Sequence, residues 1–143
     1  MEELWLVFAF LSAVTAALVA LFGKIGLQSV DANTATMIRS VIMAVFLVIV
    51  VIFQGNIKEI PVIIANKKAI TFIALSGIAG ALSWLFYFLA LKFGKVSQVV
   101  AIDRLSVVIA TVMAVMLLGE KISIVSAVGV ALITIGAIFV ALG

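Results

Sequence analysis

Cysteine and histidine are absent from this 143-residue sequence, proline occurs once, and charge is scarce, with nine Lys or Arg and six Asp or Glu. Without thiols there is no disulfide framework and no thiolate nucleophile, and the redox compartment is unreadable. Without imidazole the most common general base and soft metal ligand are missing. These absences argue against an enzyme and against a bound cofactor or metal. The single proline, Pro61, interrupts none of the long apolar runs. A soluble domain is about half apolar and a quarter charged, whereas this chain is 67% apolar and 10% charged. A domain near 150 residues still exposes roughly a third of its unfolded surface, so lipid rather than water is the solvent that such a composition fits.

What the sequence does contain is apolar length. About 96 of the 143 residues are hydrophobic, enough for four or five helical crossings at about 20 residues each. That leaves no room for a soluble catalytic domain. The runs are 4–22, 34–53, 69–91, 96–118 and 122–142. They are too long for barrel strands, which alternate over about ten residues. Val and Ile are abundant, but in hydrocarbon each backbone donor must be satisfied within its own segment, which favours helix. The expected fold is an all-α integral membrane protein, a bundle of five transmembrane helices forming one domain over 1–143. The first run follows Glu2 and Glu3 rather than a basic region, so it reads as a retained helix and not a secretory signal. Its end is blurred across Gly23–Gly26. Gln54–Lys68 is the longest polar connection, and Gly119-Glu120-Lys121 makes a tight turn. The fifth run reaches the last residues, so no carboxy-terminal domain or targeting tail is expected.

The net charge of +3 reads as a topology signal in short loops, not as nucleic-acid binding. Lys58, Lys67, Lys68 and Lys121 share the face of the amino terminus. Lys24, Lys92 and Lys95 lie on the opposite face, with Arg39 and Arg104 just inside the helices there. Two readings stay open. Either the Lys67-Lys68 pair decides and puts the amino terminus in the cytoplasm, or the balance lets copies insert both ways and pair antiparallel.

Ionisable residues inside a span are costly and usually face a bundle interior or an aqueous cavity. At about 1.5 Å of rise per residue, Arg39 lies roughly 8 Å, and Asp103 and Arg104 roughly 10 Å, inside the starts of their helices. Lys24 ends the first helix on the same face, so all four charges share one half of the bilayer. Asp103 must pair, protonate or line water, and Arg39 with Asp103 is the ion pair to test first. Lys24 faces either that cavity or the headgroups, to which a lysine can snorkel. On the third run Gly77, Gly80, Trp84 and Tyr87 follow at spacings of three, four and three, which places them on one helical face. Small residues allow close helix packing; the aromatic pair either walls a cavity or anchors the helix at the interface. Gly129 and Gly136 on the fifth run read as helix packing. That run, with only Ser123, Ser126 and Thr134 as polar side chains, is a scaffold or dimerisation element.

The stretch Ala101-Ile102-Asp103-Arg104-Leu105-Ser106, then Leu118-Gly119-Glu120-Lys121, Gly129 and Ile135-Gly136, resembles a single EamA-type repeat of the drug/metabolite transporter superfamily. The resemblance extends back through Gly77, Ser83-Trp84, Tyr87, Ala90-Leu91 and Gly94 to Gly23-Lys24-Ile25-Gly26-Leu27. One departure is Ala101, where similar small members often have proline. The resemblance implies a secondary transporter or exporter of small organic metabolites or drugs. Its cavity would be formed mostly by the first four helices, in a multi-pass cell-membrane protein, expected in the inner membrane of a prokaryote. Typical members have ten helices in two inverted five-helix repeats, so a single unit is expected to act as a dimer by alternating access, with an antiparallel homodimer favoured. Asp103, Arg104, Arg39, Trp84, Tyr87 and Lys24 are then the cavity or coupling residues, with proton coupling through Asp103. The sum of Arg39, Arg104 and Asp103 favours a carboxylate-bearing substrate over a lipophilic cation. The alternative is a non-transporting accessory subunit packed against another membrane protein; buried charge argues against it.

Overall fold

The computed structural model describes residues 4–143; Glu2 and Glu3, used above to exclude a signal sequence, lie outside the described residues. The elements are α1 (Leu4–Gly26), α2 (Ala32–Phe53), a 3₁₀ turn (Asn56–Lys58), α3 (Glu59–Ala65), α4 (Lys67–Phe93), α5 (Val96–Asp103), α6 (Leu105–Leu118) and α7 (Ile124–Leu142). Among the described residues there is no strand. Among the described residues five helical segments are long and apolar enough to cross a membrane: α1, α2, α4, Val96–Leu118 and α7. The chain is an all-α membrane protein.

Local capping chemistry decides where these helices begin and end, and it moves several ends away from the limits of the apolar runs. Asp31 accepts the Thr34 amide at 2.8 Å and the Thr34 hydroxyl at 2.9 Å, so α2 starts two residues before its apolar run. A side-chain oxygen there satisfies amides that have no intrahelical acceptor. Asn66 does two jobs. Its amide closes α3 onto the carbonyls of Ile63 and Val62, while its side chain accepts the Ala69 amide at 3.1 Å and opens α4. Ser123 accepts the Ser126 amide at 3.0 Å, which starts α7 at Ile124 instead of Ile122. The blurred end of α1 resolves as helix through Gly26.

Two segments depart from the sequence pattern more strongly. The connection 54–68 is not plain loop: Gly55 turns the chain with φ +71, the 3₁₀ turn follows, and α3 takes up Pro61 in its first turn, where a missing amide donor costs nothing. The fourth span is broken, although Ala101 stands where similar small members often have proline. The Arg104 amide is shared between the carbonyls of Val100 (3.3 Å) and Ala101 (3.2 Å). The Arg104 carbonyl then accepts Val107 at 3.0 Å. That i to i+3 bond tightens one turn and separates α5 from α6 without proline.

The chain forms two compact units, one running through Ile25 and resuming over Phe93–Gly143, the other Gly26–Lys92. In the first, α7 packs against α5 and α6. Gln98 donates to the Ala141 carbonyl at 3.1 Å, and Lys24 donates to the Gly94 carbonyl at 2.8 Å. In the second, the 3₁₀ turn folds against α2 and α3, and Lys92 donates to the Val30 carbonyl at 3.1 Å. Thr36 is buried, its hydroxyl returned to the Ala32 carbonyl at 2.7 Å. The buried apolar set is small, namely Ala20, Leu27, Ala32, Phe88, Leu91 and Ala137, while large apolar side chains along every spanning helix stay exposed. In lipid that exposure carries no hydrophobic penalty, because acyl chains are as apolar as leucine.

Candidate functional site

Residues three and four apart on a helix are surface neighbours, and α4 uses that spacing to build an aromatic trio from Trp84, Tyr87 and Phe88. The Trp84 and Phe88 rings stack with centroids 5.7 Å apart and planes at 24°. Tyr87 meets both edge-on, at 6.1 Å from Trp84 and 5.8 Å from Phe88. Such offset and edge-to-face arrangements suit the ring quadrupole. The trio lies in the carboxy-terminal half of α4.

Arg39, on the third turn of α2, seats its guanidinium on this platform. Its central carbon lies 3.5 Å from the Trp84 ring centroid and 4.8 Å from that of Phe88. Arg39 is half-buried, and among the described residues it has no carboxylate partner. The electron-rich ring faces replace part of the hydration that a cation loses inside a span. A guanidinium is planar and carries five N–H donors and no acceptor, arranged as a fork. That is the geometry from which a carboxylate can be taken in a bidentate grip.

The trio joins Arg39 to Trp84 and Tyr87, which the sequence singles out separately, and adds Phe88, which it does not. Phe88 is 3% exposed. Phenylalanine is common here, with ten in the chain, and has no polar handle; only its four-residue spacing from Trp84 marks it. Lys24 is half-buried and held by the Gly94 carbonyl. Asp103, the last residue of α5, and Arg104, the break itself, are exposed on the first unit. A Cβ added at Gly77, Gly80, Gly129 or Gly136 would meet no atom of the described residues within 4 Å.

Outside the spans, Asp31 has its carboxyl held below the ordinary aspartate range, first by the hydrogen bond from the Thr34 amide and then by the Thr34 hydroxyl, with the charge of Lys92 adding to it.

The sequence pattern of the EamA-like transporter family matches residues 3–142. A protein of Sinorhizobium sp described as "Uncharacterized transporter in cobO 3'region" is 38% identical over 144 residues, covering 99% of this chain and 99% of that one. No solved structure matches the chain.

Proposed function

Since this chain belongs to the EamA-like transporter family, we propose that it exports small organic metabolites or drugs by alternating access, as an antiparallel homodimer, with a carboxylate-bearing solute as substrate. The observation that supports the substrate class is the Arg39 guanidinium over the Trp84 and Phe88 rings, a charged group with no carboxylate partner among the described residues, in the half of the span nearer the α2 start. Trp84 and Tyr87 wall the cavity beside it. Asp103, beside Arg104 at the break in the fourth span, is the group we assign to proton coupling. The five candidate spans among the described residues support the dimer, because they make one repeat unit, and a second copy inserted the other way round would supply the inverted one.

The first test is transport by proteoliposomes across pH with a panel of monocarboxylates, dicarboxylates, zwitterions and lipophilic cations. Arg39→Gln should lose carboxylate flux by about tenfold or more, since a charged hydrogen bond of about 1.5–3 kcal/mol disappears. Arg39→Lys should retain part of it, the loss falling on the bidentate grip. Asp103→Asn should flatten the pH dependence; unchanged pH-dependent flux would remove Asp103 from coupling. If no solute is carried, none stabilises the protein and a membrane partner co-purifies, the accessory-subunit reading replaces the transporter mechanism.

A further inference from the structure

A second feature lies at the other end of α2, away from the arginine platform. Leu47, Val48, Val51 and Ile52 from the last turns of α2, with Ile57 of the 3₁₀ turn and Ile60 of α3, line an open groove of about 420 Å³. Its lining is wholly aliphatic, and its size is within the range of about 300–1,000 Å³ typical of small-molecule sites. At about 1.5 Å per residue, Leu47 lies roughly 9 Å from the end of α2 at Phe53. The groove therefore runs along the last turns of α2.

The connection that supplies Ile57 and Ile60 is also cationic in sequence. Lys58 stands in sequence between the lining residues Ile57 and Ile60, and Lys67 and Lys68 open α4 just after α3. Over the whole connection 54–68 these three lysines are opposed by Glu59 alone. α3 itself adds exposed Ile60, Val62, Ile63 and Ile64. Seven residues cannot cross a bilayer, so an apolar helix of this length between two candidate spans suits the boundary between acyl chains and headgroups. An aliphatic groove at the end of a span, in part built from a connection whose three lysines outnumber its one acid, is complementary to one kind of molecule.

We propose that this groove binds an anionic phospholipid, one acyl chain along α2 against Val51 and Ile57, its headgroup phosphate held by Lys58 with Lys67 and Lys68. The site is separate from the Arg39 platform and does not depend on which solute is carried. It gives the connection 54–68 a partner: the lipid fixes α3 at the membrane surface and holds the start of α4.

The test uses the full chain purified in a mild maltoside detergent, with thermal unfolding and native mass spectrometry as readouts. Added phosphatidylglycerol should raise the unfolding temperature by several degrees and appear as a bound adduct; phosphatidylcholine at equal concentration and inorganic phosphate should do neither. Val51→Phe, which fills the groove, should remove the adduct. The combined variant Lys58→Gln, Lys67→Gln and Lys68→Gln, all at exposed positions, should reduce the phosphatidylglycerol shift to the phosphatidylcholine level. Equal shifts with both lipids, a shift reproduced by phosphate alone, or an adduct that survives both variants would each overturn the proposal.

Discussion

Inside a span, Arg39 is offered two aromatic ring faces, those of Trp84 and Phe88, in place of part of its hydration. The contact with Trp84 is worth about 1–2 kcal/mol when partly desolvated, so Trp84→Leu should lower the unfolding temperature in detergent more than Tyr87→Phe, which leaves the ring in place. Asp31 makes a different prediction outside the hydrocarbon. Its folded carboxyl ionises below the ordinary aspartate value of 3.8, so the ionised cap adds stability at every pH above that value and loses it as pH falls through the lower, folded value. Asp31→Ala should therefore unfold at a lower temperature than the parent at pH 5–8, with the difference shrinking below about pH 4. Neither contact is fully legible in the sequence. Arg39 and Trp84 stand out there as unusual residue types at unusual depths, but cation–π pairing depends on how α2 and α4 are rotated about their axes. An aspartate three residues before a threonine and a long apolar run, by contrast, is an ordinary start signal that hydropathy alone passes over.

At the scale of the helix, the apolar runs locate all five spans, because in a bilayer the length of hydrocarbon to be crossed governs element length more strongly than any local propensity. The ends escaped that reasoning, since Asn66, Ser123 and Asp31 set them through single hydrogen bonds. The break in the fourth span escaped it for another reason: no proline or glycine occupies 96–118 at that point, and the change is one tightened turn at Arg104. Gly119 offers the sharpest element-level test. Its φ of +68 ends α6, and both its amide and that of Glu120 return to the Ala114 carbonyl. A Cβ there has open space, so Gly119→Ala should cost only the left-handed backbone penalty, about 1–2 kcal/mol. Gly119→Asn should cost less. Thermal unfolding of the three proteins side by side measures this, and an alanine variant as stable as the parent would mean that the turn relaxes to another conformation.

For the molecule as a whole, the small buried set and the long exposed apolar faces leave much of the chain's surface to lipid or to a second copy. The four glycines on α4 and α7 have open space in the single chain. If they serve close approach of another copy, Gly129→Leu and Gly136→Leu should leave helicity unchanged and weaken association, read by cross-linking in membranes. A reporter fused at the carboxy terminus should give signals from both sides of the membrane for an antiparallel pair, and from one side for a parallel one. The sequence framed this question through its nearly balanced lysines, yet charge balance concerns insertion and says nothing of which faces meet.

The seat beneath Arg39 also has an optical consequence. The chain holds two tryptophans, and Trp5 is 65% exposed near the start of α1. Replacing Trp5 by Phe leaves Trp84 as the sole indole, in van der Waals contact with a positive charge that any bound carboxylate would draw on. The emission of that variant becomes a label-free gauge of occupancy, so that candidate solutes can be ranked by fluorescence titration before any flux is measured.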